Sequence, residues 1–313
     1  MSSSASSASS SGSPPSAASS GDRQTVTLQS PESVKAAGLR PASQRISAVL
    51  ADIDGTLVRP DKSLSDATIK AIKALEKAGI PFSLASARPP RGLQPFITAL
   101  DLTAPLAAYN GGTIVKPDLT VLESLPIPAD VAQRAIDLLK SRGIGAWVFT
   151  RGTWEILDPN GDYVDLEERT IGYAPTVVKS FDDLSSVDKI LAASKDEAGL
   201  IAAEKAFAET FGDTLSAHRS QAYYLDITHP AANKGHAAKA VAAHLNIPLS
   251  ELAVLGDMGN DLPMFKEAGL AIAMGQSGED IQSQAHAVTL SNADDGVAAA
   301  IYELIMPRIA KKA

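Results

Sequence analysis

The stretch VLADIDGTLV at 49–58 runs an apolar segment directly into two acids, Asp52 and Asp54, with Gly55 and Thr56 behind them. If the strand continues through the acids, side chains two apart share a face, about 6.6 Å apart along it, and both carboxylates address one ligand. Carboxylates that close repel unless a cation or a proton lies between them, so the pair points to a metal-assisted reaction. The plainer alternative is a turn in which one Asp caps Gly55 and the other is solvated. Three further segments carry matching chemistry. LASARP ends a second strand on Ser86 and Arg88, a hydroxyl and backbone amides suited to an anion. NKGHAAKA opens a helix on Lys234, where free amides and the positive dipole end favour negative charge. LGDMGNDLPMF ends a strand on Asp257 and supplies Asn260 and Asp261 in the next turn. Taken singly, Ser86 is explained as a helix cap, Lys234 as a solvated lysine, and Asp257 and Asp261 as turn or cap residues. At successive strand ends of one sheet they converge on one site.

Positioning them requires a sheet whose strands end together. From Ile46 onward short apolar runs alternate with amphipathic segments: strand ISAVLADI, helix SDATIKAIKALEKAG with Ser65 as N-cap and Gly79 as stop, strand IPFSLAS, helix RGLQPFITAL and strand APLAAYN. The rhythm returns with helix NKGHAAKAVAAHL, strand ELAVLGD, helix DLPMFKEAG and strand LAIAMG. Such alternation predicts a Rossmann-like parallel sheet covered on both faces, with ligands at the carboxyl ends of its strands. The middle, about 116–220, differs. Helices over ADVAQRAIDLLKSRG and KDEAGLIAAEKAFAETFG flank closely spaced strands, which predicts a smaller α/β cap inserted into the parallel core of 45–115 and 221–313.

The totals narrow the function. A chain of 313 residues with 45% hydrophobic content can bury a full core. A net charge of −8 argues against a nucleic-acid partner, and no apolar run is long enough to span a bilayer. The absence of cysteine excludes disulfides and thiolate chemistry and fits a reducing compartment, so a cytoplasmic location is expected. Residues 1–44 begin as a Ser/Ala-rich run with nothing to fill a core, and read as a disordered tail. The five histidines lack metal-ligand spacing as a set; Trp147 and Trp154 read as cap packing, and Arg151 has no motif beside it.

DIDGTL, a Ser ending the second strand, a Lys opening a later helix and GDMGND, in this order, resemble the four motifs of the haloacid dehalogenase superfamily of phosphohydrolases. The insert between the second and third motifs, preceded by YNGG at 109–112, is similar to the Cof-type branch, subclass IIB with a C2B cap. One departure is Ser86-Ala87-Arg88, where Thr-Gly-Arg is commoner. The resemblance implies that Asp52 is the nucleophile and Asp54 the general acid and base. It implies Mg²⁺ held by Asp52, the carbonyl of Asp54 and Asp257, with Asn260 or Asp261 behind them. Ser86 and Lys234 would hold phosphoryl oxygens; Arg88 and Asn110 would reach the substrate. Relatives that cleave carbon–phosphorus or carbon–halogen bonds commonly lack an acid at the position of Asp54, so a phosphate monoester is expected. The expected partner is a small phosphorylated metabolite, sugar phosphates first. A phosphomannomutase-like phosphotransferase and a non-catalytic Mg²⁺ or sugar-phosphate binding protein remain alternatives.

Overall fold

The computed structural model describes residues 25–310. Its central sheet orders six strands as Thr27–Leu28, Ala287–Val288, Leu270–Ala273, Leu252–Gly256, Ala48–Ala51 and Phe82–Leu84. All pairings are parallel except the outermost, where Thr27–Leu28 runs antiparallel to Ala287–Val288. The Ala48–Ala51 strand is buried on both faces, which is why it is apolar throughout: Val49 and Ala51 belong to one core cluster with Ile72 and Leu75, Ala48 and Leu50 to another with Val241 and Val254. Helix Asp66–Lys77 starts where the Ser65 side chain accepts from the Thr68 amide, and ends ahead of Gly79, whose φ of +83° suits a residue without a Cβ. Burying Ile72 and Leu75 contributes about 1.5–3 kcal/mol each. The expected parallel core is therefore present, with its strand ends in register: Leu255 sits opposite Ala51, and Ala51 opposite Leu84.

A second six-stranded sheet, in the order Ser216–Gln221, Tyr224–Thr228, Val187–Ala193, Gly145–Thr150, Thr153–Ile156 and Thr176–Val177, forms the cap. Helices Ala129–Ser141 and Glu197–Phe211 cover one face through Val131, Ile136, Leu200 and Phe207. The opposite face, carrying Trp147, Phe149, Trp154 and Leu191, joins the main core cluster. Trp147 and Trp154 meet edge to face at 5.2 Å, so they are packing residues as the sequence suggests.

Two expectations need correction. The cap does not run from 116 to 220. The Thr113–Val115 and Val121–Ser124 hairpin pairs with Leu106–Ala108 beside the core, whereas Tyr224–Thr228 pairs on both sides within the cap sheet, so the chain returns to the core only after Thr228. Residues 25–44 are not a disordered tail. Besides the edge strand they form a helix, Pro31–Ala36, capped by Ser30, and the Ser43 amide donates to the Gly269 carbonyl at 2.8 Å. The part of that expectation on residues 1–24 lies outside the described residues. The cap also contains a helix, Val164–Ile171. Among the described residues no helix is long and apolar enough to cross a membrane.

The ordered N-terminal segment is tied down by His286, 1% exposed. Its Nδ1 accepts from the Ala271 amide at 2.8 Å, so in the neutral ring Nε2 carries the proton and donates to the Arg40 carbonyl at 2.8 Å. Burial holds the imidazole below its ordinary pKa. The bonded neutral ring therefore stabilises the fold fully above about pH 6.5, and that contribution falls as the pH drops toward the folded-state value. His286→Ala is expected to cost about 2 kcal/mol in urea unfolding at pH 7.5 and to flatten the loss of stability between pH 7 and pH 5.

Candidate active site

Asp52 follows the central strand directly, and its amide donates to the Leu255 carbonyl of the neighbouring strand at 3.0 Å. The Lys234 ammonium reaches it from the first residue of helix Lys234–His244, whose N-terminus is fixed by the Asn233 side chain accepting from the amides of Gly235 and His236. Lys234 Nζ lies 2.7 Å from Asp52 Oδ1 and 2.6 Å from Asp261 Oδ1, with the Lys234 and Asp261 side chains fully buried. Asp261 spends its other oxygen on the amides of Asp257 and Met258, at 2.8 and 2.9 Å. One ammonium thus serves two carboxylates, and a third, Asp257, stands alongside.

That imbalance appears in the acidities. Burial pushes the Asp52 carboxyl up to about 8, with Lys234 opposing and Asp261 adding to the rise. Burial, then the charge of Asp261, carries Asp257 up to about 6. Burial alone would lower Lys234, but the charges of Asp261 and Asp52 hold it above the ordinary lysine range. Asp52, Asp257 and Asp261 each offer an oxygen within 4.8 Å of the others. An all-carboxylate donor set with excess negative charge fits a hard divalent cation. Because both oxygens of Asp261 are already bonded, Asp52 and Asp257 are the freer donors.

Asp257 can stand this close only because residue 55 is glycine. Gly55 has φ +89°, and a Cβ there would lie 2.2 Å from Asp257 Oδ2. Thr56 Oγ1 donates to Asp257 Oδ1 at 2.9 Å, and Gln276 Nε2 donates to the Gly55 carbonyl at 2.6 Å. The end of the strand also corrects the reading of Asp54. The strand ends at Ala51, so the pleat does not carry both acids to one face. Asp54 instead faces Arg88, whose Nε and Nη2 donate to its two oxygens at 2.8 and 2.9 Å, while Lys62 Nζ adds a bond of 2.9 Å. Burial works against ionisation of Asp54, but the hydrogen bonds and charges of Arg88, then of Lys62, prevail and hold its pKa down to about 2.

A cavity of about 290 Å³ opens above these groups, lined from the core by Asp52, Asp54, Ser86, Arg88 and Asn260. Ser86 is buried, and its Oγ accepts from the Arg88 amide at 3.2 Å. Asn110 reaches this loop through its backbone, donating to the Ser86 carbonyl at 2.7 Å, but it is not among the cavity-lining residues. Arg151 is bound to Asp183, away from the cavity. The cap closes the roof: Arg88 Nη1 donates to the Thr170 carbonyl at 2.8 Å, and Glu167, Lys189 and Asp226 line the space. Sequence reasoning passed over Thr56, Lys62 and these three cap residues. Asp226 did leave a signal, a lone charge inside the strand YLDIT, and Lys189 a weaker one, paired with Asp188 in VDKILAA.

Comparison with known proteins gives the chain's family. A family model described as haloacid dehalogenase-like hydrolase matches residues 49–301. A putative phosphatase of Haemophilus influenzae is 31% identical over 259 residues, covering 82% of this chain and 97% of its own. The solved structure of a haloacid dehalogenase-like hydrolase from Bacteroides thetaiotaomicron is 25% identical with a TM-score of 0.78, covering 83% of this chain and all of that one. A solved structure described as a subclass IIB sugar phosphatase is 24% identical with a TM-score of 0.71, over 82% of this chain and 98% of that one. The chain belongs to the haloacid dehalogenase-like hydrolases. Its enzyme class is phosphatase, and its fold, inserted cap included, is that of the subclass IIB structure.

Gly55→Ala is expected to push Asp257 away and to strain the turn, cutting phosphate release by about 100-fold or more while lowering stability by only about 1–3 kcal/mol. Steady-state kinetics beside thermal unfolding checks the split.

Proposed function

We propose that the protein is a Mg²⁺-dependent phosphatase that hydrolyses small organic phosphate monoesters, sugar phosphates foremost, through an aspartyl-phosphate on Asp52. The observation that carries this reading is Asp52 itself: a buried carboxylate at a strand end, bonded to Lys234, beside Asp257, and open to the cavity that Ser86 and Asp54 share. An Asp52 oxygen attacks phosphorus as the bond to the leaving oxygen breaks. Asp54 gives that oxygen a proton, then takes one from the water that attacks the same phosphorus and frees Asp52. Ser86 and Lys234 offset charge on the phosphoryl oxygens. Mg²⁺, held by Asp52, Asp257 and the Asp54 carbonyl with Asp261 and Asn260 behind, would relieve repulsion between the nucleophile and the phosphate.

The two acids suit these tasks because their surroundings differ. Asp52 is kept from solvent and needs a cation to ionise fully near neutral pH. Asp54, held ionised by Arg88 and Lys62, accepts a proton only when those cations turn to the substrate. A roofed cavity of about 290 Å³ favours metabolites over macromolecular phosphoesters. The phosphatase name of one relative and the sugar-phosphatase description of one structural neighbour point the same way.

Asp52→Asn should lower phosphate release from a panel of sugar phosphates by about 1,000-fold or more with an unchanged circular dichroism spectrum. A variant as active as wild type would refute the covalent route. A second test uses the raised pKa values. Without metal, ionising Asp52 and Asp257 costs the fold stability as the pH rises above their unfolded values, a loss complete only above about 8 and about 6 respectively. Added Mg²⁺ should therefore raise the melting temperature more at pH 8 than at pH 6.

A further inference from the structure

The cap half of the cavity holds charges that the chemistry on phosphorus does not use. Lys189 Nζ lies 2.8 Å from Asp226 Oδ1, both side chains at most 10% exposed. The ammonium also sits 4.9 Å from the centre of the Phe149 ring and 3.4 Å from the Ala87 carbonyl, so its charge is spent. The other oxygen of Asp226 is buried with no hydrogen-bond partner. Glu167, 6% exposed, faces the same space, and burial raises its pKa. Two carboxylates against one neutralised ammonium leave the roof with a net charge of −1.

On the core side, Arg88 and Lys62 are committed to Asp54 and the phosphate end. Beyond the phosphate, the charged groups left without a cation of their own are therefore carboxylates, with the Tyr224 hydroxyl, which also lines the cavity, set against Glu167. A buried acceptor without a donor is costly, and a ligand donor removes that cost. A second anionic group on the ligand would instead meet net negative charge in a site screened from water. Leu166, Ile171 and Leu191 supply apolar wall for carbon–hydrogen faces. At about 30 Å³ per water, 290 Å³ holds roughly ten waters, room for one sugar ring or a short polyol chain.

We propose that Glu167 and Asp226 form a leaving-group subsite that selects an uncharged, hydroxyl-bearing alcohol and rejects one carrying a second anionic group. The inference rests on the phosphatase reading above. It makes both residues specificity determinants, with Lys189 as the counter-charge that holds Asp226 in place.

The experiment compares kcat/KM for matched pairs, glucose 6-phosphate with 6-phosphogluconate and glycerol 1-phosphate with 3-phosphoglycerate, alongside p-nitrophenyl phosphate, whose leaving group has no hydroxyl donor beyond the ester oxygen. Wild type should favour the uncharged member of each pair by about 10-fold or more. Glu167→Gln, which keeps shape and removes an acceptor, should lower the uncharged members by about 10-fold and p-nitrophenyl phosphate by less than about 2-fold. Asp226→Asn exposes the charge of Lys189 and should shift preference toward the carboxylated members by about 10-fold. Because that change leaves a buried lysine unpaired and can unfold the chain, Glu167→Gln carries the test independently. Equal rates for both members in wild type, or a parallel fall for every substrate in Glu167→Gln, overturns the subsite while leaving the phosphatase reading intact. Wild-type protein that releases no phosphate from any of the five compounds, p-nitrophenyl phosphate included, overturns that reading and the subsite with it.

Discussion

A buried ammonium shared by two carboxylates is the constraint around which this molecule is arranged. Lys234 opens a helix in the second half of the core, Asp52 ends a strand in the first half, and the whole cap lies between them in sequence. Neither charge tolerates burial alone, so the two halves must close on each other with the strand ends level. Asp261 completes the arrangement from a third position, anchored by two backbone amides in a turn that Gly256 keeps open; a Cβ at 256 would stand 2.4 Å from Asp261 Cγ. The surplus negative charge left at Asp52 and Asp257 is what makes the site receptive to a cation.

The cap acts on the same electrostatics from the other side. One face of its sheet rests on two helices, and the other is continuous with the core cluster through Phe149 and Tyr109, whose rings meet at 5.9 Å. Polar ties cross the boundary at the cavity, from Arg88 to the Thr170 carbonyl and from Lys189 toward the Ala87 carbonyl, and at the hairpin, where Thr113 and Ser124 donate to Asp188. Arg88 therefore touches Asp54 and the cap at once, so the state of Asp54 and the position of the roof are mechanically joined. Two carboxylates two residues apart end up with opposite acidities, Asp52 raised and Asp54 lowered, because one is sealed beside other acids and the other is clasped by cations.

Much of this was legible in the sequence, for identifiable reasons. Apolar runs ending in acids, with Lys234 at a helix start, marked the strand ends, because a doubly covered parallel sheet leaves polar residues nowhere else to sit. The pleat argument failed for Asp54 because the strand stops at Ala51, ahead of both acids, and no alternation pattern marks that stop. The edge strand at Thr27–Leu28 escaped notice because two residues carry no periodicity and their partner lies more than 250 positions away. The cap boundary slipped because YLDIT looks the same whether it joins a core or a cap sheet; only its pairing with Val187–Ala193 decides. Lys189 and Asp226 were visible as odd charges in strands, but their mutual contact was not.

The claim that everything else serves is that Asp52 carries the phosphoryl group. Rapid mixing of the protein with Mg²⁺ and a hydrolysed sugar phosphate, quenching with borohydride and peptide mass spectrometry tests it directly, because reduction of an acyl phosphate converts that aspartate to homoserine. The account predicts homoserine at position 52, dependent on substrate. Homoserine at another acid, or none at 52 under conditions of turnover, would contradict it.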